Sequence, residues 1–449
     1  MSEPGNKKKI GVYSGIAIGL GGMIGAGIFS IIGVAAEIAG NLMYVSFIIA
    51  GLLALLSGYS YSKLSAEFPS AGGPVIFLIK GFGMGVTSGF FNILLWFGYV
   101  FVLCLYSYAF ASYGMTFFPG APEIVRNILI TLVIAGFTAV NIIGAKAVGS
   151  SETTIVIIKV AILLFFVVIG FFFIEPALLE PELEGPATNI LFGAALVFVA
   201  YEGFGLITNT GEDMKQPRKN MPRSIYWSIA ITIIIYAAVA YVVIGNLELG
   251  HIIEAKDYAL AEAAKPSLGK IGFEIIAVAA LFSTASAINA TIYGGAYVSY
   301  LTARNNGLPK IFDKKIRRGS RGGLYITSVL VIIFANTLDL EGIAMLGSAT
   351  FLVVYGAVNI AHLKVLKQTK ANPFIVWAAA ISCTISFFLL VYHQIKNSPD
   401  TLYVLAGVMV SALIFEYHYT NYRRKRLGKS SREKERETKE KTSREFSQH

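Results

Sequence analysis

Twelve long apolar segments set the terms for this chain. They fall near 10–36, 41–66, 85–118, 123–146, 153–174, 188–210, 222–246, 271–303, 323–339, 342–367, 373–395 and 400–422. Ile155–Ile174 and Ile225–Ile244 show their character. Each supplies about 20 mostly apolar residues, enough for a helix to cross a ~30 Å hydrocarbon core. Composition agrees: 14% of residues are charged and the mean hydropathy is +0.65, whereas soluble domains carry roughly a quarter charged residues. Lys7, Lys8 and Lys9 precede the first apolar run, as in a signal peptide. That run, from Ile10 to Ala36, is far longer than a signal core of ~7–15 residues and reads as a membrane helix.

The basic residues orient the segments. With the N-terminus placed in the cytoplasm and twelve spans threaded, 31 of the 37 Lys and Arg residues fall in cytoplasmic segments. The outer loops receive Arg126, Lys256, Lys265, Lys270 and Lys396, and Lys159 lies within a span. The positive-inside rule thus predicts a multi-pass protein of the cell membrane with both termini cytoplasmic. Residues 1–422 form the membrane domain, and 423–449 a basic cytoplasmic tail, expected to be partly disordered and able to meet anionic lipid headgroups. Nucleic acid is not an expected partner.

Five glycines, Gly19, Gly21, Gly22, Gly25 and Gly27, crowd the middle of the first segment. Three readings compete. Small residues let helices approach closely in lipid. A nucleotide-binding glycine loop would need a preceding strand and a following Gly-Lys-Ser/Thr, and neither is present. A discontinuous helix would free main-chain N–H groups at Gly25-Ala26-Gly27 to bind a carboxylate. The third reading demands a matching interruption in the second half of an inverted repeat. Five segments later, Tyr201-Glu202-Gly203-Phe204-Gly205 interrupts the sixth. The pair predicts an all-α fold of twelve transmembrane helices. Helices 1–5 and 6–10 form a five-plus-five inverted repeat, helices 1 and 6 are discontinuous, and helices 11 and 12 lie outside.

Two ionisable residues sit at membrane depth. Glu202 is read either as a proton acceptor or cationic-substrate partner, or as a neutral acid bonded to backbone beside the break. Lys159 lies about seven residues into helix 5, where it either snorkels to the headgroups or exchanges a proton during transport. Ser283, Thr284 and Ser286 on helix 8 offer hydroxyls to a cation, although bonding back to their own helix is the commoner use. Trp96, Tyr99, Tyr106 and Tyr108 on helix 3 either line a pocket or pack. Cys104 and Cys383 lie in apolar spans without metal-ligand spacing. His362, His393 and His418 fall near helix ends, an interfacial pattern. No Ser–His–Asp grouping, HExxH or CxxC occurs, so no catalytic residue, metal site or cofactor is expected.

Three stretches resemble the amino acid–polyamine–organocation superfamily, above all its prokaryotic broad-specificity amino acid transporters. They are Gly22-Met-Ile-Gly25-Ala26-Gly27-Ile28-Phe29, Glu67-Phe-Pro69-Ser-Ala71-Gly72-Gly73-Pro74, and the segment from Gly211-Glu212-Asp213 to Pro222-Arg223. The resemblance implies that a substrate carboxylate meets the backbone around Gly25, Ala26 and Gly27, flanked by Ile24 and Ile28. Its amino group would face carbonyls near Ile24 and near Val199, Ala200 and Glu202, in the run that continues through Tyr201 and Gly203. An aromatic gate of exchanger-type relatives aligns with Val199, leaving Tyr201 or Phe204 as substitutes. A lysine matching Lys159 occurs in proton-coupled members, which implies proton-driven uptake with Lys159 and Glu202 as the proton-coupling residues. Ser283, Ser286, Trp96 and Tyr99 remain candidates for cation or pocket lining. Exchange, a preference for cationic amino acids or polyamines, and a non-transporting receptor or partner subunit are the rival expectations.

Overall fold

A computed structural model of the chain describes residues 10–25, 27–143, 152–180, 187–305, 307–316 and 321–446, with side chains to Arg423. Ala26 and Lys146 lie outside these residues. The described chain is helical and holds no strand, only two isolated bridges. Its α-helices run in the order α1 Val12–Met23, α2 Gly27–Ala39, α3 Met43–Glu67, α4 Pro74–Phe82, α5 Val86–Met115, α6 Glu123–Ile143, α7 Glu152–Phe171, α8 Thr188–Val197 and α9 Gly205–Thr208. They continue as α10 Pro217–Asn246, α11 Leu249–Ala255, α12 Ala259–Glu262, α13 Lys265–Arg304, α14 Gly322–Thr337, α15 Leu340–Leu363, α16 Leu366–Thr369, α17 Pro373–Asn397 and α18 Pro399–Phe446.

Among the described residues ten helices are long and apolar enough to cross a membrane, counting Gly27–Glu67 as one. Val12–Met23 and Gly322–Thr337 are shorter apolar helices. Helices are what such a sequence must form, because hydrocarbon offers no partner to an open backbone group. The turn between α2 and α3 is made at Gly40, whose φ of 60° suits a residue without a Cβ. α5 and α13, of 30 and 40 residues, are longer than a ~30 Å core requires at a ~1.5 Å rise.

The bundle has an inner and an outer set of helices. α5 packs against α13 and α15, and α3 against α10 and α8. α6, α7, α17 and α18 instead turn large apolar side chains outward, among them Leu132, Phe165, Phe374 and Val410. That is the arrangement expected where lipid replaces water as the outer solvent.

The second and third sequence stretches singled out above meet at one end of the bundle, together with Ile10 at the start of the first apolar segment. Ile10 exchanges main-chain hydrogen bonds with the segment after α9, donating to Asp213 O and accepting from Lys215 N, both at 2.8 Å. A Cβ on Gly211 would stand 2.7 Å from the Ser70 main-chain nitrogen, and one on Gly73 2.3 Å from Asn209 Oδ1. Arg218 pairs with Glu67 at 3.2 Å.

At the opposite end the α11–α12 segment lies against α2. A Cβ on Gly33 would be 2.3 Å from the Lys256 carbonyl oxygen. Lys256 reaches Glu37 on α2 and, at 3.8 Å, Glu341 on α15. Beside it, Asp257 accepts from Ser112 Oγ at 3.0 Å. Burial pushes the Asp257 carboxyl above its usual range, against the opposing pull of Ser112 and Arg126.

Candidate functional site

The first span is broken. α1 ends at Met23, α2 begins at Gly27, and Ile24 stands between them at φ −81°, ψ 30°. A helix that stops inside the bundle leaves its last four carbonyls without intrahelical donors, and here side-chain hydroxyls from distant helices reach those of Gly22 and Met23 and the two that follow, Ile24 and Gly25. Tyr106 on α5 donates to Gly22 O at 3.2 Å. Tyr236 on α10 donates to Met23 O. Ser283 on α13 donates to Ile24 O at 3.0 Å and also to Gly25 O. Leu20 O is taken by the Ile24 N–H at 2.7 Å. On the other side of the break the first-turn amides of α2, at Gly27, Ile28 and Phe29, have by helix geometry no acceptor within α2 itself. They present the positive end of a helix dipole to the gap.

The sixth span changes winding instead of stopping. α8 passes into a 3₁₀ helix over Phe198–Phe204 and then into α9. This differs from the interruption expected there, and the reason lies in packing. A Cβ on Gly203 would stand 2.3 Å from Gly22 C and 2.4 Å from Met23 N, and one on Gly27 2.8 Å from Ala200 Cβ. The glycines of both spans bring backbone against backbone at the break, and the narrower 3₁₀ winding meets that demand without freeing a whole turn.

Around this contact the expected residues sort clearly. Ile24, Gly25, Gly27 and Ile28 are buried at the break, and Val199, Ala200, Tyr201, Glu202 and Gly203 are buried on the 3₁₀ segment. Ala200 O accepts from Tyr236 at 3.3 Å, so one hydroxyl bridges both spans. Val199 leans on α15, where a Cβ on Gly347 would be 3.0 Å from its Cγ2. Tyr201 donates to Phe47 O on α3 at 2.8 Å. Phe204 packs against Tyr61 and Tyr355. Both aromatic candidates are thereby committed to neighbouring helices. Glu202 is 2% exposed, its main-chain oxygen accepts from Tyr355 at 2.7 Å, and its Oε1 is buried without a hydrogen-bond partner among the described residues.

Lys159 joins the break indirectly. It is 4% exposed, and its Nζ donates at 3.0 Å to the main-chain oxygen of Ser283, the residue whose hydroxyl holds Ile24 and Gly25. It also lines an apolar groove of about 540 Å³ between α7 and α13, with Glu274 and Phe282 on the facing wall. The serine cluster splits. Ser283 serves α1, Thr284 bonds back to Ala280 O at 2.7 Å, and Ser286 is half-buried on the same helix. Trp96 donates to Thr327 on α14 at 2.9 Å and meets Phe312 edge-on. Tyr99 is buried edge-on against Phe351, and Tyr108 stacks under Arg126 at 4.8 Å. The residues missed in the sequence are Tyr236, which ties α1 to the 3₁₀ segment, and Tyr113, which holds Phe29 O at 2.9 Å.

A multi-pass helical bundle with a broken span, side-chain-capped carbonyls and a buried lysine beside them is the build of a membrane transporter. The chain belongs to the amino acid permease family, whose model matches residues 10–415. It is 41% identical to protein MJ0609 of Methanocaldococcus jannaschii, over 92% of this chain and 95% of that one. It is 30% identical to the inner membrane transport protein YbaT of Escherichia coli, over 92% and 97%. Among solved structures, a manganese transporter variant from Eremococcus coleocola superposes with a TM-score of 0.57, covering 94% of this chain and 97% of the other at 11% identity. That likeness concerns the fold alone.

Proposed function

We propose that the chain is a secondary active transporter that takes up amino acids of several kinds by alternating access, driven by protons. The observation that carries the reading is the break between Met23 and Gly27, with its capped carbonyls on one side and the first-turn amides of α2 on the other. A substrate carboxylate would meet those amides around Gly25, Ala26 and Gly27, as an anion at a helix N-terminus does. The ammonium group would use the remaining lone pair of the Ile24 carbonyl, which accepts one bond from the Ser283 hydroxyl, and would face the carbonyls near Val199 and Ala200; the Glu202 carbonyl already accepts from both the Tyr355 hydroxyl and the Gly205 N–H.

Counting α1 with α2 as one span, α3 as the second and α14 as the ninth gives twelve. We read spans 1–5 and 6–10 as inverted repeats, with α17 and α18 outside them and both termini cytoplasmic. The Lys/Arg distribution supports this orientation. Lys159 is assigned the proton. Charged, it holds the Ser283 carbonyl and through Ser283 the end of α1; neutral, it holds them less firmly. The protonation state would thus bias how tightly α1 is fastened to α13. A second reading, transport of cationic amino acids or polyamines, is favoured by the partnerless Oε1 of Glu202.

The test is uptake by the purified full chain in liposomes, with proton and sodium gradients imposed separately. Accumulation of a mixed amino acid pool should follow the inward proton gradient and vanish in Lys159→Ala. Accumulation that follows sodium alone and survives in Lys159→Ala would overturn the coupling assignment. Inhibition by lysine or putrescine that disappears in Glu202→Gln would favour the second reading, and preloaded vesicles would separate exchange from net uptake.

A further inference from the structure

A second cluster of buried polar atoms lies between α5, the C-terminal end of α13 and α18. Glu416 on α18 is 2% exposed and Asn92 on α5 is 3% exposed. Both line one cavity of about 220 Å³. In each residue one oxygen lacks a hydrogen-bond partner among the described residues: Oε2 of Glu416 and Oδ1 of Asn92. The other carboxylate oxygen of Glu416 accepts from Thr420 Oγ1 at 2.8 Å. The chain makes room for this carboxylate, since a Cβ on Gly89 would stand 2.1 Å from Glu416 Oε1. None of these groups touches the break between α1 and α2 in any contact described above.

The chemistry of the lining narrows the ligand. Two buried acceptors without donors cost free energy until a donor arrives. A carboxylate among them asks for positive charge. Asn305 and Gly307, just past the end of the 40-residue α13, also line the cavity, so the negative end of that helix dipole adds to the demand. Arg423 lines the cavity too, and its positive field acts on Glu416. A divalent ion would be repelled by Arg423 twice as strongly as a monovalent one. The volume is several times the ~30 Å³ share of one water molecule, which suits an organic cation better than a bare alkali ion.

We propose that this cavity binds a small primary ammonium ion, whose N–H groups are shared between Glu416 Oε2 and Asn92 Oδ1. Occupancy would fasten α18 to α5, the helix that also carries Tyr106 to the end of α1. The ligand would therefore modulate transport from outside the transport path.

Binding of n-butylammonium to the purified full chain in nanodiscs, read by calorimetry, tests this. Saturable binding should weaken about tenfold or more in Glu416→Gln, which removes the negative charge, and in Asn92→Leu, which removes an acceptor to a charged donor. It should persist in Glu202→Gln, which separates this cavity from the transport site. Tetramethylammonium, which has no N–H, should not compete. The melting temperature of each unliganded variant distinguishes misfolding from lost binding, and Asn92→Leu alone carries the test if Glu416→Gln does not fold. Undiminished binding in the folded variants, equal competition by tetramethylammonium, or no saturable binding by the wild type would overturn the proposal.

Discussion

Gly203→Ala probes the contact on which the site depends. The added methyl would stand 2.3 Å from Gly22 C, 2.4 Å from Met23 N and 2.8 Å from Gly22 Cα, all main-chain atoms. An ordinary carbon contact needs about 3.5 Å, so α1 and the 3₁₀ segment would have to part by roughly 1 Å. Neither side can yield by rotating a side chain. Overpacking of this kind costs about 1–3 kcal/mol, and the shift would fall on the bonds that Tyr106 and Tyr236 make to Gly22 O and Met23 O. Gly356→Ala is the control, since its methyl would meet Cys383 Cβ at an ordinary 3.6 Å. Thermal unfolding in detergent and uptake of labelled amino acids by liposomes should be measured on both variants. We expect Gly203→Ala to lose most uptake and to melt lower, with Gly356→Ala close to wild type in each assay. Wild-type uptake and melting in Gly203→Ala would refute the close-contact argument.

Two further predictions concern single hydroxyl and carboxyl groups. Tyr236→Phe removes the donor shared by Met23 O and Ala200 O; leaving buried acceptors unsatisfied costs about 1–3 kcal/mol. A lower melting temperature and a reduced uptake rate are expected, and their absence would show that the bridge is dispensable. Asp257 lies outside the spans with its carboxyl raised above 3.8 by burial. The folded state therefore binds the proton more tightly than the unfolded chain, and stability should fall as pH rises from about 3.8 through the raised value, then level off. Asp257→Asn should flatten that slope in thermal melts recorded as a function of pH.

Much of the fold could be read from the sequence because lipid imposes a simple rule: long apolar runs must be helices. The glycines around Gly25 and the Glu202-Gly203 pair pointed to the site for the same reason, since neither is good material for a plain span. The sequence did not reveal what glycine was for in the sixth span. Gly203 is there for close approach to Gly22, and the span stays helical, because sequence alone does not tell a residue that lets backbone unwind from one that lets backbone come near. Nor could the hydroxyl caps be seen. Tyr236 and Met23 are 213 positions apart, and Ser283 and Ile24 259 apart; only the assembled bundle brings them together. His362 shows the same limit. Its place near a helix end is visible in the sequence, but not that its ring is buried and pairs with Thr369 Oγ1 at 2.8 Å.

The fit of Gly33 against the main chain of Lys256 couples two parts of the molecule that are far apart in sequence. With no side chain interposed at Gly33, nothing there can flex to absorb relative motion. The α11–α12 segment is therefore seated on α2 without a cushion, while Lys256 and Asp257 tie it to α15 and α5 as well, so a probe or crosslink placed on that outer segment senses the position of α2 relative to those two helices.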